Sequence, residues 1–249
     1  MTGLPLAAVW AAAPVLVVQG RRVRRTTPRL PEAAGPTSGS VGAHDSPLSL
    51  LVLGDSVAAG VGLAGHHESL AGRVAARLHL AMGRPVAWRV HARSGATAVD
   101  VRDLLAEDAS GADGVAGEAP DVVVVSVGVN DCKALHGDRR WERDLAGLLD
   151  ELVARWPGAQ VVLLGLPPMA AFPALPPLLG RLLGGRARRL DALGGRLAGE
   201  RGVRHLSLEL PDDAGFAPDG FHPGAVAHDR MAEAVVAVLV DTCVDDPPV

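Results

Sequence analysis

Ser56 follows Gly54 and Asp55 at the end of an apolar run, Leu50-Leu51-Val52-Leu53. A serine there is delivered by a buried strand to its carboxyl end, where a helix is expected to begin. In open α/β sheets that edge is where ligands bind. Backbone N–H groups and the positive end of a helix dipole favour negative charge at such a place. The chemistry this suits is nucleophilic attack by Ser56. It then needs a base, an orienter for the base, and donors for an oxyanion.

Candidates for each role lie far downstream. His222 is the candidate base, because imidazole titrates near neutral pH. Asp219 stands three residues before it, and in a turn its carboxylate can reach the ring nitrogen facing away from Ser56. The N–H groups of Ser56 and Gly95 and the side-chain amide of Asn130 are candidate oxyanion donors. A side-chain amide used in this way is worth about 3–4 kcal/mol of barrier. Taken singly, each motif has a plain explanation as a turn glycine, a helix cap or an Asx-turn. What carries weight is the set, because each member follows an expected strand.

Those strands come from an alternating pattern. Strands are expected at Leu48–Leu53, Val86–Ala92, Val122–Val127, Gln160–Leu166 and Val203–Leu208. Val122–Val127 opens with four successive valines, a β-branched run of the kind buried on both faces of a parallel sheet. Between the strands, Leu70, Val74, Leu78 and Met82 recur at helical spacing. Thr97 and Asp100 resemble a capping box. The run from Trp141 to Trp156 marks the clearest helix, and another is expected over 181–200. A final helix with Pro223 in its first turn should end near Val240. The pattern gives a three-layer α/β/α sandwich around a five-stranded parallel sheet.

The quoted blocks together resemble the SGNH hydrolases, the superfamily of GDSL-type esterases and lipases. Gly54-Asp55-Ser56-Val57-Ala58-Ala59-Gly60 matches the first block and Gly95 the second. Gly128-Val129-Asn130-Asp131 matches the third and Asp219-Gly220-Phe221-His222-Pro223 the last. The resemblance spans residues 48–243 and implies a flavodoxin-like fold. It implies Ser56 as nucleophile, His222 as base and Asp219 as its orienter. Ser56, Gly95 and Asn130 become the oxyanion hole, supported by Gly54, Asp55, Gly128 and Asp131. No metal and no organic cofactor is implied. The Gly-x-Ser-x-Gly elbow of the commoner serine hydrolases is absent, since Ala58 stands two after Ser56.

Composition narrows the partners. The 249 residues suffice for one α/β domain with a full core. Net charge is −4, which gives no reason to expect nucleic acid as a partner. Tyrosine is absent, and Cys132 and Cys243 form no metal spacing and are no evidence for a disulfide framework. Cys132 is expected to be a small buried or rim residue. His66 and His67 are read as a solvated helix start, with a place on the rim of the site as the competing reading, and His228 as a helix-surface residue.

The apolar residues 3–19 precede Arg21, Arg22, Arg24 and Arg25, and no basic residue precedes them. Three readings stay open for residues 1–25: a membrane anchor or interfacial helix, a helix docked on the domain or a partner chain, and an unusual cleaved signal. The positive-inside rule makes a cytoplasmic location, anchored at the inner face of the membrane, the expectation over secretion. Residues 26–47 read as a linker or extended arm.

Met169, Phe172 and Leu175, in the apolar stretch Pro167–Leu183 after the fourth strand, are candidates for a substrate wall; packing on the N-terminal helix is the competing reading. The expected function is a serine ester hydrolase acting on small aliphatic or lipid-like esters, thioesters included. A carbohydrate O-acetyl esterase is the enzyme alternative. A membrane-tethered, non-catalytic binding domain is the alternative of another class. If Asp219 is not the orienter, Asp212 or Asp213 is next in line.

Overall fold

The computed structural model describes residues 6–42, 46–109, 119–208 and 215–240. Cys243, Asp212 and Asp213 lie outside them. In chain order the elements are α1 (Leu6–Thr26), β1 (Ser38–Val41), β2 (Leu48–Gly54), α2 (Leu70–Met82), β3 (Val86–Ala92), α3 (Ala98–Ala109) and β4 (Val122–Ser126). They continue with α4 (Val129–Lys133), α5 (Asp138–Arg155), β5 (Gln160–Leu164), a 3-10 turn at Met169–Ala171, α6 (Pro177–Gly199), β6 (Arg204–Leu206) and α7 (Ala225–Val240).

The sheet order is β1-β3-β2-β4-β5-β6. The five expected strands are all parallel neighbours. A sixth was not expected: β1 pairs antiparallel with β3, Ser38 opposite Arg89 and Val41 opposite Val86. It comes from the stretch read as a linker or arm. With no apolar alternation, Ser38-Gly39-Ser40 gives little strand signal, and only the open edge of β3 draws it into the sheet. The residues before it are docked too. Ala33 N–H donates to Ala59 O, Gly62 N–H to Pro31 O, and Ser94 N–H to a carboxylate oxygen of Glu32.

The pleat sorts the core into two layers. Leu51, Leu53, Val123, Val125 and Leu163 face α3, α5 and α6. Leu50, Val52, Val122, Val124 and Val162 face α2 and α7. This is the period-two alternation of strands with both faces covered. One half of the Thr97–Asp100 capping box forms, with Asp100 Oδ2 accepting from the Thr97 N–H at 2.8 Å and its hydroxyl at 2.6 Å.

Several boundaries differ from the sequence expectation. Residues 56–60 are turns and α2 begins only at Leu70, so no helix dipole starts at Ser56. Small residues and Gly60 and Gly62 at positive φ favour turns there. α6 begins at Pro177, inside the expected loop, because Pro is suited to the first helical position. Pro223 is not in the first turn of α7; it bridges to Phe216 before the helix starts.

α1 lies against α6. The side-chain oxygen of Gln19 accepts from the Leu179 N–H at 3.2 Å, satisfying one of the orphan donors at the α6 N-terminus. Among the described residues no helix is long and apolar enough to cross a membrane. α1 has the contacts of a docked helix.

β2 lies between β3 and β4, so the chain leaves it in one direction and returns on the other side. This is a topological switch point. Gly54 ends β2 at φ 153°, where a Cβ would sit 2.1 Å from Ser126 O. Gly54→Ala is expected to destabilise the fold by about 3 kcal/mol through strain and clash. Denaturant unfolding of the variant against the parent protein checks this.

Candidate active site

The first turn is fixed by hydrogen bonds between β2 and β4. Asp55 N–H donates to Ser126 O at 3.0 Å. Asp55 Oδ1 accepts from Val57 N–H at 3.1 Å and from Ser126 Oγ at 2.9 Å. Desolvation pushes the Asp55 carboxyl up to about 6, against the opposing pull of Val57, Ser126, Lys133 and His222. Ser56 follows, half-buried, its carbonyl accepting from Val61 N–H.

The last block folds as an Asx-turn. Asp219 Oδ1 accepts from the N–H groups of Phe221 and His222 at 2.9 and 3.0 Å. Its Oδ2 lies 2.6 Å from Nδ1 of His222. Desolvation opposes ionisation of Asp219, but the His222 ring and the two backbone donors outweigh it and hold the carboxyl below its usual range. An ionised Asp219 makes Nδ1 the protonated nitrogen and leaves Nε2 as the acceptor. A short antiparallel contact fixes the block, with Ala217 N–H donating to His222 O.

Ser56 and His222 line one cavity of about 50 Å³, together with Asp55, Ser126, Phe172 and Phe221. The structure thus brings residues 55–56 and 222 to the switch point from opposite ends of the chain. Gly95 and Asn130 are not among the residues lining that cavity. Gly95 is exposed at φ 88° in the turn after β3. Asn130 is buried; Nδ2 donates to Ala96 O at 2.9 Å and Oδ1 accepts from Lys133 Nζ at 3.0 Å. One amide hydrogen of Asn130 is left to donate elsewhere.

Gly128 and Asp131 frame that segment. Gly128 has φ 115°, and a Cβ there would press on Leu166 and Trp141. Asp131 is buried, with desolvation raising its pKa against hydrogen bonds from His136 and Ala98 N–H. Asp131 thereby ties the start of α3 to α4.

The three wall candidates divide. Phe172 lines the Ser56 cavity. Leu175 lines a second, larger cavity. Met169 is a correction: it is fully buried in the core beneath α6 and lines neither. Its 3-10 turn directs it inward, which spacing alone does not reveal. Two histidines are corrected as well. His66 is buried beside Ser69 and Trp88, and desolvation lowers its pKa. His228 is 0% exposed, with neither ring nitrogen hydrogen-bonded, and desolvation lowers it to about 3. The packing of α7 on α2 covers a position that periodicity left at the surface. Cys132 is buried, and desolvation raises its thiol to about 11. Among the described residues no group of His, Cys, Asp or Glu has a metal-binding arrangement.

Ser126, Lys133 and Phe221 were missed as site residues. Ser126 pairs in register with Gly54, a placement only the sheet supplies. Lys133 carried one unused signal, being the one lysine in the chain.

The layered sheet with its switch-point site is that of the SGNH hydrolase fold. The chain belongs to the GDSL-like lipase/acylhydrolase family, whose model matches residues 52–230. It is 30% identical over 200 residues to a GDSL-like esterase of Mycobacterium tuberculosis, an alignment covering 77% of this chain. The chain spans 62% of that relative's length. Among solved structures it is similar to TesA, with 25% identity and a TM-score of 0.58 over 77% of this chain and 97% of that one. The extracellular lipase of Streptomyces rimosus shares the fold at 19% identity and a TM-score of 0.55, over 76% and 98% of the two chains.

The Asp55 carboxyl gives a testable pH dependence. Its pKa is raised on folding, so the native state holds this proton more tightly than the unfolded chain. Its contribution therefore declines as pH rises from about 4 to about 6. Asp55→Asn keeps an oxygen for both donors and removes the titration. Relative to the parent protein, the variant should gain about 3 kcal/mol between pH 4 and pH 7. Denaturant unfolding at the two pH values measures the difference.

Proposed function

We propose that this protein is a serine ester hydrolase in which Ser56 attacks the ester carbonyl and forms an acyl-enzyme. His222 Nε2 takes the hydroxyl proton and passes it to the departing alcohol. Asp219 holds the imidazole through Nδ1 and stabilises the imidazolium. Water then attacks the acyl-enzyme with His222 again as base, releasing the acid and restoring Ser56. The Ser56 and Gly95 N–H groups and the free Asn130 amide hydrogen are assigned as oxyanion donors, used once substrate is bound. The substrates are small aliphatic or lipid-like esters, thioesters included.

The observation that carries this reading is the shared cavity of Ser56 and His222, with Asp219 2.6 Å from the far ring nitrogen. Family membership and the GDSL-like esterase relative support the same class.

A fluorophosphonate probe should label the protein at Ser56, and Ser56→Ala should abolish the label. Absence of labelling in the parent protein would overturn the reading. Asp219→Asn should fold normally and lose roughly a thousandfold or more in kcat by fixing the wrong tautomer. Steady-state turnover of p-nitrophenyl acetate, beside a thermal melt, separates the two effects.

A further inference from the structure

The Ser56 cavity, about 50 Å³, has no room for a long chain. Next to it lies a cavity of about 650 Å³ between α1 and α6, within the range of small-molecule sites. Its walls are mainly aliphatic, with Leu16 of α1 facing Leu179 of α6. Its polar side chains are cations, Lys133 and Arg24 among them. Phe221 lines both cavities, standing one residue before His222. Its ring meets His222 edge-on at 5.4 Å, and Lys133 Nζ lies 5.0 Å from its centroid.

We propose that the cavity between α1 and α6 holds the hydrocarbon chain of a long-chain acyl ligand, its oxygen-bearing end towards Lys133 and Phe221. The proposal rests on the serine esterase reading and extends it. The chain of an ester at Ser56 passes Phe221 and lies under α1, so the helix outside the matched residues 52–230 becomes part of the acyl site. The chemistry of the walls selects this ligand. A flexible alkyl chain gains the transfer free energy of an apolar enclosure. A sugar ring would leave its hydroxyls without partners against leucines. Lys133 as a residue is solvent-accessible, yet its ammonium is enclosed enough that desolvation lowers its pKa. A carboxylate or ester oxygen beside it offsets that desolvation.

Gly20 supplies a clean perturbation. It lines the cavity from α1, and a Cβ placed there meets nothing within 4 Å. Gly20→Phe in the full chain should fill the space without a clash at the backbone. The ratio of kcat/KM for p-nitrophenyl decanoate to that for p-nitrophenyl acetate should fall at least tenfold. An unchanged ratio overturns the proposal, and a protein that hydrolyses neither ester overturns the esterase reading on which it rests. A second measurement needs no variant. Lys133 is the one lysine, so mass spectrometry can follow its modification by an amine reagent apart from that of the α-amino group. Decanoate should slow labelling of Lys133 at least fivefold, whereas acetate at the same concentration should not. No slowing by decanoate, or equal slowing by both, overturns the proposal even if Gly20→Phe does not fold.

Discussion

A single buried carboxylate joins the two central strands at the place where the chemistry is expected. Asp55 is 1% exposed, and one of its oxygens accepts both the Val57 N–H and the Ser126 hydroxyl. The contact ties the turn after β2 to the end of β4, next to the position where only a hydrogen can face Ser126 O. Ser56 follows directly, so its placement depends on this junction. A group buried with few donors resists ionisation, and the raised pKa of Asp55 expresses that cost. The backbone that carries Ser56 is thereby fixed on both sides, by β2 and by β4.

The opposite wall is built on a different principle. Residues 216–223 have no regular strand or helix, yet the chain there is fixed by the Asp219 oxygens and by backbone pairs. One carboxylate orients both the backbone and the ring of His222. The aromatic cluster of Phe172, Phe216 and Phe221 packs behind it edge to face, at 5.3 and 5.1 Å. Phe221 then becomes the partition between the small chamber that holds Ser56 and His222 and the larger one beside it. The arm before β1 is held by pairing with residues 59–62 and with Ser94.

The N-terminal helix changes meaning in this setting. By sequence its apolar residues and trailing arginines favour an anchor or interfacial helix over a docked one. In the folded chain Gln19 completes the start of α6, and apolar residues of both helices wall the same cavity. The N-terminal helix thus lines the same cavity as Lys133 and Phe221.

Strong local patterns were legible without the fold. The valine run of β4, the apolar periodicity from Trp141 and the Thr97–Asp100 box form what their residue types dictate, because burial period and capping are local properties. The Asp219–His222 pairing was readable for the same reason, since three residues of a turn span it. Other features depend on partners far away in sequence. Ser38–Val41 becomes a strand because β3 has a free edge. His228 is buried because α2 lies against α7, and Met169 because a 3-10 turn points it inward. The placement of Lys133 and Phe221 belongs to the same group, for two cavities sharing a wall exist only after packing. The sequence by itself determined the class of chemistry and the chain order of the five parallel strands. The tertiary structure decided how much space surrounds Ser56 and which helices wall the neighbouring cavity, because volume is a property of what packs together and not of any one segment.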